Sequence, residues 1–74
     1  MLFEIRPKSP ARVLGGVRMP SIGMVWPHPP WHYHFAVLFD GRLYDEAYPA
    51  GLPMQEYKNR FEHQDYIMFI EHHA

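Results

Sequence analysis

His32-Tyr33-His34-Phe35-Ala36-Val37-Leu38-Phe39-Asp40-Gly41-Arg42-Leu43-Tyr44-Asp45-Glu46-Ala47-Tyr48 contains two β-prone runs joined by Asp40-Gly41. Asp-Gly is a dipeptide favoured by a two-residue type I′ turn, because both central residues take positive φ and the turn's twist matches that of the strands it joins. The stretch therefore predicts a β-hairpin with arms over about 32–39 and 42–48. A two-residue loop also sets the register: Phe39 faces Arg42, Leu38 faces Leu43, Ala36 faces Asp45 and His34 faces Ala47. Alternation with a period of two puts Tyr33, Phe35, Val37, Phe39, Tyr44 and Tyr48 on one face. His32, His34, Ala36, Leu38, Leu43, Asp45 and Ala47 fall on the other. The first set is the more apolar and is expected to face the core.

Upstream of the hairpin, Leu2 to Arg6 reads as a short strand stopped by Pro7 and Pro10, which lack the N–H a ladder needs. Ala11 to Met19 reads as a strand broken at Gly15-Gly16 by a turn or bulge. Residues 20–31 form a proline-rich arm expected to run extended along the surface, pinned by Met24, Val25 and Trp26. Downstream, Pro53 in a first turn and Met54, Tyr57 and Phe61 at helical spacing predict a helix over about 53–62. A C-terminal strand over about 66–70, apolar on both faces, is expected to be central. The class that emerges is α+β: a small antiparallel sheet around a central hairpin, with one helix, in one small domain over residues 1–74.

Composition narrows the chemistry. The 74 residues hold seven Lys plus Arg against eight Asp plus Glu, and no Cys, so disulfides, cysteine-type zinc sites and a thiol nucleophile are excluded. The near-neutral balance, with no basic stripe, argues against nucleic acid as a partner. Met1 to Arg6 lacks the basic start and apolar run of a signal peptide, and the longest apolar run, Phe35 to Phe39, falls far short of the roughly 20 residues that span a bilayer. No membrane association is expected, and the compartment is expected to be the cytoplasm.

The less apolar hairpin face gathers the candidate chemistry. His34 lies on the diagonal from Asp45, within reach across strands. A carboxylate that accepts from one imidazole nitrogen fixes the tautomer and leaves the other nitrogen as a base, so His34 and Asp45 are the candidate catalytic pair. Ala36 and Ala47 beside them leave a dip, and the proline-rich arm could wall it. His28, His32 and His34, with Asp45 adding an oxygen, are the candidate ligands for a divalent transition metal such as zinc. No other cofactor is implied. The ordinary alternative for both sets is a polar face turned to solvent, which is also the expectation for His63, His72 and His73. Gly15-Gly16 is not followed by a phosphate-loop lysine, and Ser9 and Ser21 sit in proline-flanked segments without a nucleophile-elbow pattern.

Trp31 to Asp45, with Gly51-Leu52-Pro53-Met54-Gln55-Glu56-Tyr57 after it, resembles the His/Asp half of papain-like hydrolases, of the transglutaminase-like, N-terminal glutamine amidohydrolase or cell-wall peptidase type. The resemblance spans residues 31–70 and implies a histidine-bearing strand, a following strand with the orienting acid, then a helix and another strand. His34 matches the histidine and Asp45 the acid, while His32 is the weaker match. These families also use a cysteine at a helix N-terminus, and this sequence offers neither a Cys nor an upstream helix to hold one.

Two functions follow as expectations. The first is a small protein-binding module, an accessory or inhibitor protein, docking on another protein or on a second copy of itself through an aromatic, proline-rich surface. Trp26, Trp31 and Tyr48 are its candidate anchors, since large aromatics dominate interface energetics. The second is a hydrolase-like or metal site on His32, His34 and Asp45, completed by another chain.

Overall fold

The computed structural model describes residues 1–73. Its elements are β1 (Leu2–Pro7), β2 (Val17–Met19), β3 (Gly23–Val25), β4 (His34–Phe39), β5 (Arg42–Tyr44), β6 (Leu52–Pro53), α1 (Met54–Lys58) and β7 (Ile67–His72), with a 3₁₀ turn over Gln64–Tyr66. The fold is α+β. One antiparallel sheet runs in the order β6-β5-β4-β1-β7, and β2 pairs with β3 in a separate two-stranded sheet. No helix among the described residues is long and apolar enough to cross a membrane.

The predicted turn forms. Asp40 and Gly41 take φ of 52° and 76°, and Phe39 pairs with Arg42 and Leu38 with Leu43. The hairpin is shorter than its sequence suggests, with arms over His34–Phe39 and Arg42–Tyr44 rather than 32–39 and 42–48. Asp45 leaves the ladder because its side chain binds the backbone N–H groups of Ala47 and Tyr48, which turns the chain inward.

The larger correction concerns the faces of the sheet. Ala36 and Leu43 are buried, whereas Tyr33, Phe35, Val37 and Phe39 are exposed, so the face expected outside is the inner one. The cause lies in β1. Its sequence alternates Phe3 and Ile5 with Glu4 and Arg6, and only one orientation keeps both charges in water while burying Phe3 and Ile5. Phe3 pairs with Ala36 and Ile5 with His34, and paired residues share a face, so β4 turns inward the side that matches β1.

Four other expectations are revised. The helix covers Met54–Lys58 rather than 53–62, because residues 60–62 straighten to pair with the chain around β2: Arg18 N–H donates to the Arg60 carbonyl at 2.7 Å and Glu62 N–H to that of Gly16 at 2.9 Å. This extended pairing buries Phe61 against Val17. The proline-rich arm is not wholly irregular, since Gly23–Val25 within it forms β3 after a tight turn in which Ser21 and Gly23 have positive φ. Ala11 to Arg12 and onward to Gly16 are outside any strand, so only Val17–Met19 of that segment is β. The C-terminal strand runs over Ile67–His72 rather than 66–70 and is an edge, not central, paired only with β1. Ile67 and Phe69 supply its inner face, and the core gathers around Phe3, Ile5, Leu43, Tyr57 and Phe61.

Candidate functional site: a buried carboxylate beneath an open cleft

Four segments converge on one carboxylate. Asp45 follows β5, His34 opens β4, Tyr57 lies on α1 and Arg60 stands just beyond it. Asp45 Oδ1 accepts from the backbone N–H groups of Ala47 and Tyr48 at 2.9 and 3.0 Å. Oδ2 accepts from the Tyr57 hydroxyl at 2.7 Å, an Arg60 guanidinium nitrogen at 2.8 Å and His34 Nε2 at 3.1 Å. Arg60 is satisfied elsewhere too: its Nε donates to the Arg18 carbonyl at 3.0 Å, and its guanidinium lies 4.4 Å from the centre of the Tyr48 ring. The Asp45 and Arg60 side chains are 4% and 3% exposed, and among the described residues no buried side-chain nitrogen or oxygen lacks a partner.

Burial by itself pushes the Asp45 carboxyl up, but hydrogen bonds from His34, Tyr57 and Arg60 and the charge of Arg60 outweigh it and hold the group well below the usual carboxylate range. Tyr57 moves the other way: burial first, then its bond to Asp45 and the charge there, push the phenol well above its ordinary value despite the opposing charge of Arg60. At neutral pH Asp45 is therefore an anion and Tyr57 a neutral donor. An ionised carboxylate only accepts, so His34 Nε2 carries the hydrogen of that bond. This fixes the neutral ring's tautomer and leaves Nδ1 as its acceptor. Trp31 stacks on the imidazole with ring centres 4.6 Å apart and planes 7° from parallel.

Beside this hub lies an open cleft of about 460 Å³, formed where β4 continues past the end of β5. Trp31, His34, Ala36, Tyr44, Asp45 and Glu46 are among its lining residues. Outer-face Leu2, Tyr33, Phe35 and Val37 line it as well, Ala47 does not, and Trp31 is the residue of the proline-rich arm that reaches it. The arrangement can hold an imidazole in one orientation at the edge of a cleft. Neither serine lines that cleft, and the chain contains no Cys or Thr, so its lining supplies no such hydroxyl or thiol nucleophile.

The other candidate residues are dispersed. His34 and Asp45 meet, but His28 and His32 are exposed and join neither, and among the described residues no group of three or more His, Asp or Glu is placed to hold a metal. Asp45 is already filled by five donors, including a guanidinium. Of the aromatic anchors, Trp31 packs on His34 and Tyr48 over Arg60, both partly buried, while Trp26 is 62% exposed. Sequence reasoning missed Tyr57 as a donor and missed Arg60 altogether. The available signal was an arginine beside apolar Phe61, three residues after Tyr57, within the segment read as a helix facing the core.

Compared with protein-family models, curated proteins and solved structures, the chain matches none.

Proposed function

We propose that the chain is a protein-binding module that docks through the outer face of its sheet, with a second copy of the chain as the occupant. The observation that supports this reading is the exposure of Leu2, Tyr33, Phe35, Val37 and Phe39, each between 41% and 69% accessible. They adjoin one another: Leu2 and Tyr44 are the registered neighbours of Val37, and the Tyr33 ring meets that of Phe35 edge-on at 5.3 Å. The exposed parts of the three rings amount to roughly 300 Å². Isolated domains rarely leave contiguous apolar patches beyond a few hundred Å².

A second copy suits this face because one flat sheet packs well on another at about 10 Å separation. Strand spacing and rise give a footprint of about 24 by 20 Å, smaller than the roughly 800 Å² per partner of a standard interface, which points to a dissociable dimer. The test is sedimentation equilibrium of the full chain from micromolar to millimolar concentration. A monomer–dimer equilibrium weakened about tenfold or more by Phe35→Glu and by Val37→Lys is expected. A monomer throughout, or a dimer indifferent to both substitutions, overturns the proposal.

A second reading rests on the His34–Asp45 bond and its Trp31 stack. The resemblance to papain-like hydrolases makes His34 an oriented base whose nucleophile comes from water or another chain. Hydrolysis of p-nitrophenyl acetate above background, lost in His34→Gln but kept in His63→Gln, supports it. Equal rates in the parent chain and His34→Gln sink it.

A further inference from the structure

A second cleft, of about 420 Å³, lies at the far end of β1, and its lining includes Arg6, Lys8, Arg12, His32, Tyr33 and Glu4. We infer that this cleft binds a phosphomonoester group carried on a planar body, at a site separate from the His34–Asp45 hub that shares only Tyr33 with the patch proposed for self-association.

The first support is charge segregation. Three of the chain's seven Lys and Arg residues border this cleft, with one of its eight acids. The cleft thus carries +2, while the remaining four cations and seven acids make the rest of the chain −3. The near-neutral total conceals this asymmetry. The single acid is also engaged, since Glu4 Oε1 lies 2.7 Å from His72 Nε2 and Oε2 lies 3.9 Å from Arg6. Lys8 and Arg12 have no carboxylate within ion-pair distance among the described residues.

The second support is that the backbone carrying Lys8 and Arg12 is fixed before a ligand arrives and that the Arg12 guanidinium is docked. Lys8 N–H donates to the Tyr66 carbonyl at 2.8 Å and Arg12 N–H to that of Ser9 at 3.0 Å. Pro7 and Pro10 stiffen the same turn, each with φ locked by its ring. The Arg12 guanidinium rests 5.1 Å from the centre of the Tyr66 ring. A fixed backbone and one docked guanidinium reduce the freedom lost on binding.

The chemistry of the donors selects the ligand. Guanidinium forks match the oxygens of phosphate, and an ammonium adds a point charge. A phosphomonoester near neutral pH carries close to two negative charges and matches the +2 of the cleft, whereas a carboxylate carries one. The volume exceeds that of a bare phosphate, and the Tyr33 ring, 59% exposed beside the cations, offers a surface for stacking. The cations surround one cleft rather than forming a track, which suits one phosphate group and not a polynucleotide backbone.

The test is titration of the full chain with phenyl phosphate at low ionic strength, followed by amide NMR shifts. Saturable binding with shifts at residues 6–12 and 32–33, several-fold tighter than benzoate, is expected. Lys8→Ala with Arg12→Ala should weaken it about tenfold or more, the loss of two charge-assisted contacts. Arg6→Gln, in a half-exposed side chain, is an independent check should the double variant prove unstable. A phosphotyrosine peptide and adenosine 5′-monophosphate distinguish the carrier, and binding of either at least as tight as phenyl phosphate retains the assignment. No binding, benzoate binding equal to phenyl phosphate, or unchanged binding in both variants overturns it.

Discussion

The two faces of the hairpin differ in a way that runs against simple hydrophobicity. The outer face of β4 presents Phe35, Val37 and Phe39, and the inner face presents His34, Ala36 and Leu38, yet the inner set is the one that packs on the core. A small residue and a histidine are what this side requires. Ala36 leaves room for the layer formed by α1 and the loops, and His34 is one donor to a carboxylate that also anchors Tyr57 and Arg60. Burial goes to the face with neighbours to bury it, and the neighbours are chosen by β1 and by the polar hub.

The comparison can be broken most forcefully at the hub. Arg60→Ala removes the guanidinium and leaves Asp45 buried with a charge unmatched. Losing one member of a buried pair costs about 3–5 kcal/mol. Marginal stability for small domains starts at about 5 kcal/mol, so urea titration should find the variant largely or wholly unfolded.

Next in size is a matched pair of truncations across the sheet. Leu43→Ala on the inner face, where the side chain is fully buried, should cost about 2–4 kcal/mol by denaturant unfolding. Phe39→Ala on the outer face should change monomer stability by about 0.5 kcal/mol or less, although it removes more carbon. Equal losses at the two positions would contradict the burial of one face only.

pH sharpens the same contrast, because the inner face is where ionisation is coupled to folding. The folded-state carboxyl of Asp45 is depressed below its ordinary value of 3.8, so its stabilisation is complete above the unfolded-state value and drains away as pH falls towards the folded-state one. The phenol of Tyr57 is raised above its ordinary value of 10.0, so its stabilisation is complete below that pH and is lost as pH climbs towards the folded-state value. Urea midpoints against pH should form a plateau from about pH 5 to about pH 9 with a fall on each side. Asp45→Asn should flatten the acid limb and Tyr57→Phe the alkaline one.

A smaller destabilisation is expected at Gly51, which lies against the ring of Tyr44, the registered neighbour of Val37. The φ of Gly51 is +80°, and a Cβ built there would lie 2.6 Å from the Tyr44 ring, so Gly51→Ala should lower stability by about 1–2 kcal/mol. Thermal unfolding measures it, and an unchanged midpoint would show that β5 and the turn before β6 can shift apart.

Local sequence chemistry was legible where one or two residues decide the backbone. Asp40-Gly41 specifies a turn whatever surrounds it, and the two-residue loop then specifies the pairing of Phe39 with Arg42. The proximity of His34 and Asp45 followed from that register, although the contact forms with Asp45 outside the strand rather than within it. Tyr57 and Phe61 share a helical spacing in sequence, yet only Tyr57 stands on the helix, because Phe61 finds its partner in Val17, far away along the chain. Periodicity cannot register a partner of that kind.

The amino-acid sequence by itself determined the α+β class, the central turn and its register, and the absence of thiol chemistry, since each depends on residue identity and nearest neighbours along the chain. Tertiary structure alone decided which face of the hairpin is buried, that Arg60 and Tyr57 close around Asp45, and that Arg6, Lys8 and Arg12 share one cleft. The physical reason is the same in each case: burial and charge pairing are set by what lies across the fold, and alternation along a strand supplies two candidate faces without choosing between them.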